Sequence, residues 1–141
     1  MKTIAASGYF DPIHIGHIQY LKLASQLGDK LIVILNNDKQ IGLKKGKSFM
    51  PVEERKKILE ALDCVDEVFI SIDQDKTVCK SLEAVNPDVF AKGGDRFAHE
   101  IPETPICEKL NIKIIDGLGE KIQSSSNLTG IKENKEGDKN D

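Results

Sequence analysis

Apolar residues fall in short runs separated by amphipathic stretches, and their alternation sets the fold expectation. Residues 2–6 (Lys-Thr-Ile-Ala-Ala) read as a short buried strand ending at Ser7-Gly8. From Ile15 to Gly28 the apolar positions Ile18, Leu21 and Leu27 recur near a helical period, and Gly28 supplies a stop. Leu31-Ile32-Val33-Ile34-Leu35 is unbroken, the pattern of a parallel strand covered on both faces, and Asn36-Asn37-Asp38 closes it in turn residues. Residues 39–50 carry Lys39, Lys44, Lys45 and Lys47 with two glycines and read as a mobile basic loop. Pro51, followed by Glu53 and Glu54, opens a helix that runs to about Leu62. Beyond it the pattern predicts a strand over Val65–Ile72 and a helix over Thr77–Val85 that Asn86-Pro87 stops. Val89-Phe90-Ala91 forms a strand, Pro105–Leu110 a short helix and Ile112–Ile115 a fifth strand. Strand alternating with helix predicts an α/β fold: a Rossmann-like, doubly wound, five-stranded parallel sheet in one domain.

Composition narrows the function classes. The 141 residues are 39% hydrophobic and 30% charged, which suits a single packed domain. No apolar run approaches the roughly 20 residues of a membrane helix, and the start MKTIAAS lacks a leader pattern. No membrane partner is expected, and the expected compartment is cytoplasmic. A net charge of −3 argues against a nucleic-acid-coating protein, and with no Trp a base-stacking platform has little to build on. Cys64, Cys79 and Cys107 form no CxxC pair and read as reduced, mostly buried thiols. Residues 132–141 carry three positive and four negative charges with nothing apolar; they read as a disordered tail after a domain spanning 1–131.

In an open parallel sheet, ligands bind at the carboxyl ends of the strands. The first strand ends in Gly8-Tyr9-Phe10-Asp11-Pro12-Ile13-His14-Ile15-Gly16-His17. This is neither a dinucleotide fingerprint nor a P-loop. It places two histidines at the opening of a helix, with a glycine between them that permits close approach, and a helix N-terminus accepts phosphate. A bare pair of helix-start histidines and a two-histidine metal site are the other readings of this spacing.

The segment GYFDPIHIGH resembles the HxGH signature of the cytidylyltransferase-like nucleotidyltransferase superfamily. The likeness continues through Leu31 to Asp38, Glu54-Arg55, Val65-Asp66, Lys92 to Asp95 and Ser124 to Asn127. It implies that a phosphate monoester attacks the α-phosphorus of a nucleoside triphosphate and pyrophosphate leaves. A phosphate nucleophile is largely ionised at neutral pH and needs no strong base, so catalysis becomes positioning and charge neutralisation.

On this resemblance His14 and His17 are catalytic, together with lysines of the basic loop, Lys44 and Lys45, with Lys47 on the nucleotide. The sequence does not choose among the three. Gly8, Phe10, Asp11, Gly16, Gly93 and Asp95 are assigned to the nucleotide. Ser124, Ser125 and Ser126 would open a final short helix at the β- and γ-phosphates. Arg55 and Asp38 are assigned to the acceptor. Mg²⁺ is implied as the companion of the triphosphate, held by phosphate oxygens and water, with no protein metal ligand named. A homodimer is implied as well.

The choice of nucleotide is only partly legible. Glu120-Lys121-Ile122-Gln123-Ser124-Ser125-Ser126 lacks the arginine of the RTxGIST segment of glycerol-3-phosphate cytidylyltransferases, and Asp63 stands where those enzymes tend to carry arginine. Lys92-Gly93-Gly94-Asp95 and Ser124 to Asn127 are similar to the KGGD and STTN segments of heptose-phosphate adenylyltransferases. The reading is AMP transfer from ATP to a phosphorylated sugar or polyol, with CTP-dependent transfer and a non-catalytic nucleotide sensor as alternatives. An interaction module built on the tail is a further class.

Overall fold

The computed structural model describes residues 1–45, 49–93 and 101–118. Five strands form one sheet: β1 (Thr3–Gly8), β2 (Lys30–Leu35), β3 (Glu67–Ile70), β4 (Val89–Gly93) and β5 (Lys113–Leu118). Every pairing is parallel and the spatial order is β3-β2-β1-β4-β5. The helices are α1 (Ile15–Ser25), α2 (Asp38–Lys45), α3 (Val52–Glu60), α4 (Cys79–Val85) and α5 (Thr104–Lys109). The doubly wound parallel sheet expected from the alternation is the fold.

Strand parity divides the core. Ile4, Ala6, Leu31, Val33, Leu35, Val89 and Ala91 face one way and pack with Tyr20, Leu21 and Ala24 of α1 and Leu59 of α3. Ala5, Ile34 and Phe90 face the other way and pack with Val78, Leu82, Ile101, Cys107 and Ile112 around α4 and α5. β1 is central, and Ile4, Ala5 and Ala6 are wholly buried. A one-residue slip would exchange the two faces, so burial on both sides fixes the register. Of the cysteines, Cys107 is buried and Cys64 and Cys79 are half-buried; all are free thiols.

The two edges of the sheet differ. At the amino edge, the Asp88 carboxylate accepts from Thr3 N at 2.8 Å and the Asp66 carboxylate accepts from Leu31 N at 2.7 Å. Asp29 accepts from Lys2 N at 2.7 Å. Gly28 is required there: a Cβ would lie 2.8 Å from Lys2 O. These bonds seal the amino edge, and the candidate residues from Gly8 to His17 follow the carboxyl end of β1.

Three expectations change. Residues 38–45 are helix, not mobile loop. Asn37 and Gln40 build the start reciprocally: Gln40 Oε1 accepts from Asn37 N at 3.0 Å, and Asn37 Oδ1 accepts from Gln40 N at 2.9 Å. This is a capping box, and Ile41, wholly buried, anchors the helix behind it. β3 is shorter than Val65–Ile72: Ser71 N still donates to Leu35 O at 2.8 Å, and beyond it Ile72 N donates to Ser81 Oγ at 3.0 Å instead of continuing the ladder. α4 begins at Cys79 because Thr77 N and Oγ1 both donate to Asp75, forming a side-chain turn.

Candidate active site

The strand order reverses between β1 and β4, and a ligand crevice opens at the carboxyl side of such a point. The β1–β4 ladder is paired from Ile4/Val89 to Ala6/Ala91. At its carboxyl end the Tyr20 hydroxyl stands between the two strands. It donates to Ala91 O at 2.5 Å and accepts from Ser7 N at 3.3 Å. Burial raises the Tyr20 hydroxyl far above its ordinary pKa, so it remains a neutral donor. One residue of α1 thereby satisfies both strands where they part.

His14 is the N-cap of α1 and lies in extended backbone. Its Nδ1 accepts from Gly16 N at 3.1 Å, and His17 Nδ1 accepts from His14 N at 3.1 Å. The rings stack with centroids 3.8 Å apart. A backbone N–H can only donate, so both Nδ1 atoms are acceptors. The proton of each neutral ring is then on Nε2, which becomes a donor. The local sequence uses histidine where Ser or Asp usually caps, and the cap fixes the tautomer. His14 is exposed and His17 half-buried.

Several residues assigned to the nucleotide support this pair. Phe10 is 2% exposed and meets His17 edge-on, with ring centroids 4.9 Å apart. Its φ of 51° is in the left-handed region, an outlier for a bulky residue that costs on the order of 1–3 kcal/mol and concentrates at functional sites. Gly8 is required by that ring, since a Cβ there would lie 2.8 Å from Phe10 Cζ. Gly16 N–H donates to His14 Nδ1. Asp11, 8% exposed, accepts from Phe49 N at 2.9 Å and Met50 N at 2.8 Å. It anchors the segment that follows the lysines to the HxGH loop. Gly8, Phe10, Asp11 and Gly16, assigned to the nucleotide on the resemblance, thus also carry internal bonds and packing that shape the loop.

Arg55, expected at the acceptor phosphate, is 1% exposed and bonded inside the protein. Its Nε donates to Met50 O, one terminal nitrogen donates to both Tyr9 O and Asn36 O, and the other pairs with Asp38 Oδ1 at 2.7 Å. The guanidinium therefore holds together the ends of β1 and β2 and the start of α3. Asp38 is half-exposed, but its oxygens serve Arg55 and Val52 N, the latter at 3.3 Å. It braces α2 against α3.

Lys44 and Lys45 are the last residues of α2, and Gly93 ends β4 beside the crevice. Lys47, Asp95, Ser124, Ser125 and Ser126 lie outside the described residues. Sequence reading missed Tyr20, taken only as part of a helix, and the Asn37–Gln40 pair, whose spacing is itself a capping signal. It also missed that Asn37 Nδ2 donates to Ser71 O and Asp73 O while Gln40 Nε2 donates to Asp75 O and Thr77 O. These bonds fasten the lysine-bearing helix to the segment between β3 and α4. Among the described residues no group of three or more His, Cys, Asp or Glu side chains could hold a metal ion. No described helix is long and apolar enough to cross a membrane.

With this geometry in place, comparison with known proteins is informative. The model of the family described as cytidylyltransferase-like matches residues 5–127. An FAD synthase from Ferroglobus placidus is 41% identical, over 71% of this chain and 64% of its own length. A bifunctional HldE protein from Citrifermentans bemidjiense is 44% identical, over 88% of this chain and 28% of its own length. This chain therefore spans just under two thirds of the first relative and about a quarter of the second. The crystal structure of a lipopolysaccharide core biosynthesis protein from Thermoplasma volcanium superposes with a TM-score of 0.70 at 27% identity, covering 82% of this chain and 95% of that one.

Proposed function

We propose that this chain, which belongs to the cytidylyltransferase-like family, is a nucleotidyltransferase that moves AMP from ATP to a phosphorylated sugar or polyol. The observation that carries the reading is the reciprocal cap, which puts the ring proton of both His14 and His17 on Nε2. Two such donors at a helix N-terminus suit the crowded, negatively charged transition state of phosphoryl transfer.

In the reaction, an oxygen of the acceptor's phosphate attacks the α-phosphorus in line. The bond from that phosphorus to the β-phosphate bridging oxygen breaks, and pyrophosphate leaves with the electron pair. His14 and His17 donate hydrogen bonds to the α-phosphate and the departing bridge as charge builds. Lysines at the end of α2 and just beyond add positive charge, and Asp11 and Arg55 hold that segment against the HxGH loop. Mg²⁺ would enter with the triphosphate, neutralising charge while held by phosphate oxygens and water.

AMP is favoured because Lys92-Gly93-Gly94-Asp95 and Ser124 to Asn127 resemble adenylyltransferase segments, and an FAD synthase is among the relatives. That relative also supports a second reading in which AMP transfer is kept and the acceptor is a flavin phosphate. The test is pyrophosphate release with ATP, CTP, GTP and UTP, each against sugar phosphates, polyol phosphates and FMN. Release that needs both ATP and a sugar or polyol phosphate is the expected result. Release with FMN alone selects the second reading, and release with CTP alone overturns the adenylyl assignment.

A further inference from the structure

This inference deepens the proposed reaction and rests on it. Positive charge stabilises a crowded phosphate best when it is already in place, so the lysine-bearing end of α2 needs a fixed position. The helix has little means of fixing itself. It has eight residues with Gly42 in its interior, and a helix that short is marginal without support. Among residues 38–43 only Gln40 and Ile41 are buried. Asp38 braces the first residue against α3, and Lys39 Nζ donates to Gln74 Oε1 at 2.6 Å. The remaining polar support comes from Asn37 and Gln40.

The oxygen and the nitrogen of each amide do different things. The oxygens make the capping box, which Ser at the first position and Glu at the second would make as well. The nitrogens take no part in it. Their bonds cross to carbonyls of alternate residues in the segment after β3. Asn37 Nδ2 donates to Ser71 O at 2.9 Å and Asp73 O at 3.1 Å. Gln40 Nε2 donates to Asp75 O and Thr77 O, each at 2.8 Å. Both hydrogens of both amides are thereby used. The receiving segment is itself tied to the body of the protein. The Asp73 carboxylate accepts from Lys80 N, Ser81 N and Ser81 Oγ at 2.7–2.9 Å, and Glu103 Oε2 accepts from Val78 N at 3.0 Å. Gln40 and Ser81 are wholly buried and Asp73 is 2% exposed. A cap alone does not call for an amide at both positions; four crossing bonds to one segment do.

We infer that Asn37 and Gln40 are positioning residues for the transfer: their amide nitrogens lock α2 to residues 71–77 and so set where its Lys44–Lys45 end stands against the triphosphate. Neither residue touches the substrate. Each acts through the helix that carries the charge, and the chain beyond the lysines is held again where Asp11 accepts from Phe49 N and Met50 N.

The experiment is equilibrium binding by calorimetry with the full chain and its Asn37→Ser and Gln40→Glu variants, each alone and combined with Gly42→Ala. The probes are a non-hydrolysable ATP analogue, CTP, AMP and CMP. Both variants keep a capping-box residue and remove the crossing donors. A Cβ at Gly42 meets nothing within 4 Å, so Gly42→Ala raises helix propensity without a new contact. The expected result is triphosphate affinity weakened by about 10-fold or more, the loss of one charge-assisted hydrogen bond, with monophosphate affinity within about 2-fold and no recovery on adding Gly42→Ala. The inference is overturned by unchanged triphosphate affinity, by equal weakening of triphosphate and monophosphate, or by recovery with Gly42→Ala, which would reduce the two amides to helix formers. Should Gln40→Glu fail to fold, Asn37→Ser decides alone, because its hydroxyl is a preferred helix cap. Failure of the transfer reading shows separately, as a wild-type chain that binds neither triphosphate, and it takes this inference with it.

Discussion

The His14 and His17 rings lie stacked 3.8 Å apart, and each ring nitrogen Nδ1 accepts a backbone N–H of the same helix start. One set of bonds both begins α1 and selects the proton-bearing nitrogen of each ring. The short spacing of the motif thus has a physical reason: the intervening residues form a single turn that lets each histidine cap near the other.

Gly8→Ala tests the support beneath His17. The added methyl would lie 2.8 Å from Phe10 Cζ, and Phe10 is held at positive φ against His17. Overpacking of this kind destabilises by about 1–3 kcal/mol. Urea denaturation should show that loss, and turnover should fall because Phe10 displaces His17. An unchanged midpoint with full activity contradicts the packing account.

Arg55→Met removes a buried guanidinium and leaves Asp38, Tyr9 O, Asn36 O and Met50 O without their donor. A buried carbonyl left without its donor costs about 1–3 kcal/mol, while the half-exposed Asp38 regains water. The expected outcome is loss of stability, seen in thermal melts, that nucleotide restores in part. A stable variant whose only defect is a raised KM for the acceptor would return Arg55 to the substrate.

Tyr20→Phe leaves Ser7 N–H and Ala91 O unpaired in the core. An orphaned buried group costs about 1–3 kcal/mol. Hydrogen exchange at the Ser7 amide should accelerate, with little effect at the amino edge of the sheet. Unchanged protection at Ser7 contradicts the bridge.

The thiols are predicted to react slowly. Burial pushes the Cys107 thiol up to about 11 and raises Cys64 and Cys79 above their ordinary value. The thiolate is the reactive form, so alkylation of the folded protein should still be rising above pH 9 and should be slowest at Cys107. Rapid labelling of Cys107 at pH 8 contradicts its burial.

The sheet and the histidine pair were legible because their signals are local. The run Leu31–Leu35 and the alternation of strands with helices need no knowledge of distant contacts, and the motif from Gly8 to His17 is contiguous. The roles of Asp11, Asp38 and Arg55 were not legible, because each depends on partners far along the chain. Asp11 binds Phe49 and Met50, and Arg55 binds Tyr9 and Asn36. A charged residue beside a phosphate site reads as a ligand contact until its burial is seen. α2 was missed for a related reason: its lysines dominate the composition, while the wholly buried Gln40 and Ile41 define it.

The most direct measurement is steady-state turnover of His14→Asn beside its nucleotide affinity. Asn can replace the cap at Gly16 N but supplies no Nε2–H. The account predicts an intact fold, nucleotide affinity within about 10-fold of wild type, and a kcat lowered by about 100-fold or more, the usual loss for one transition-state donor. Near-normal turnover in that variant would contradict the assignment of the histidine pair to the reacting phosphate.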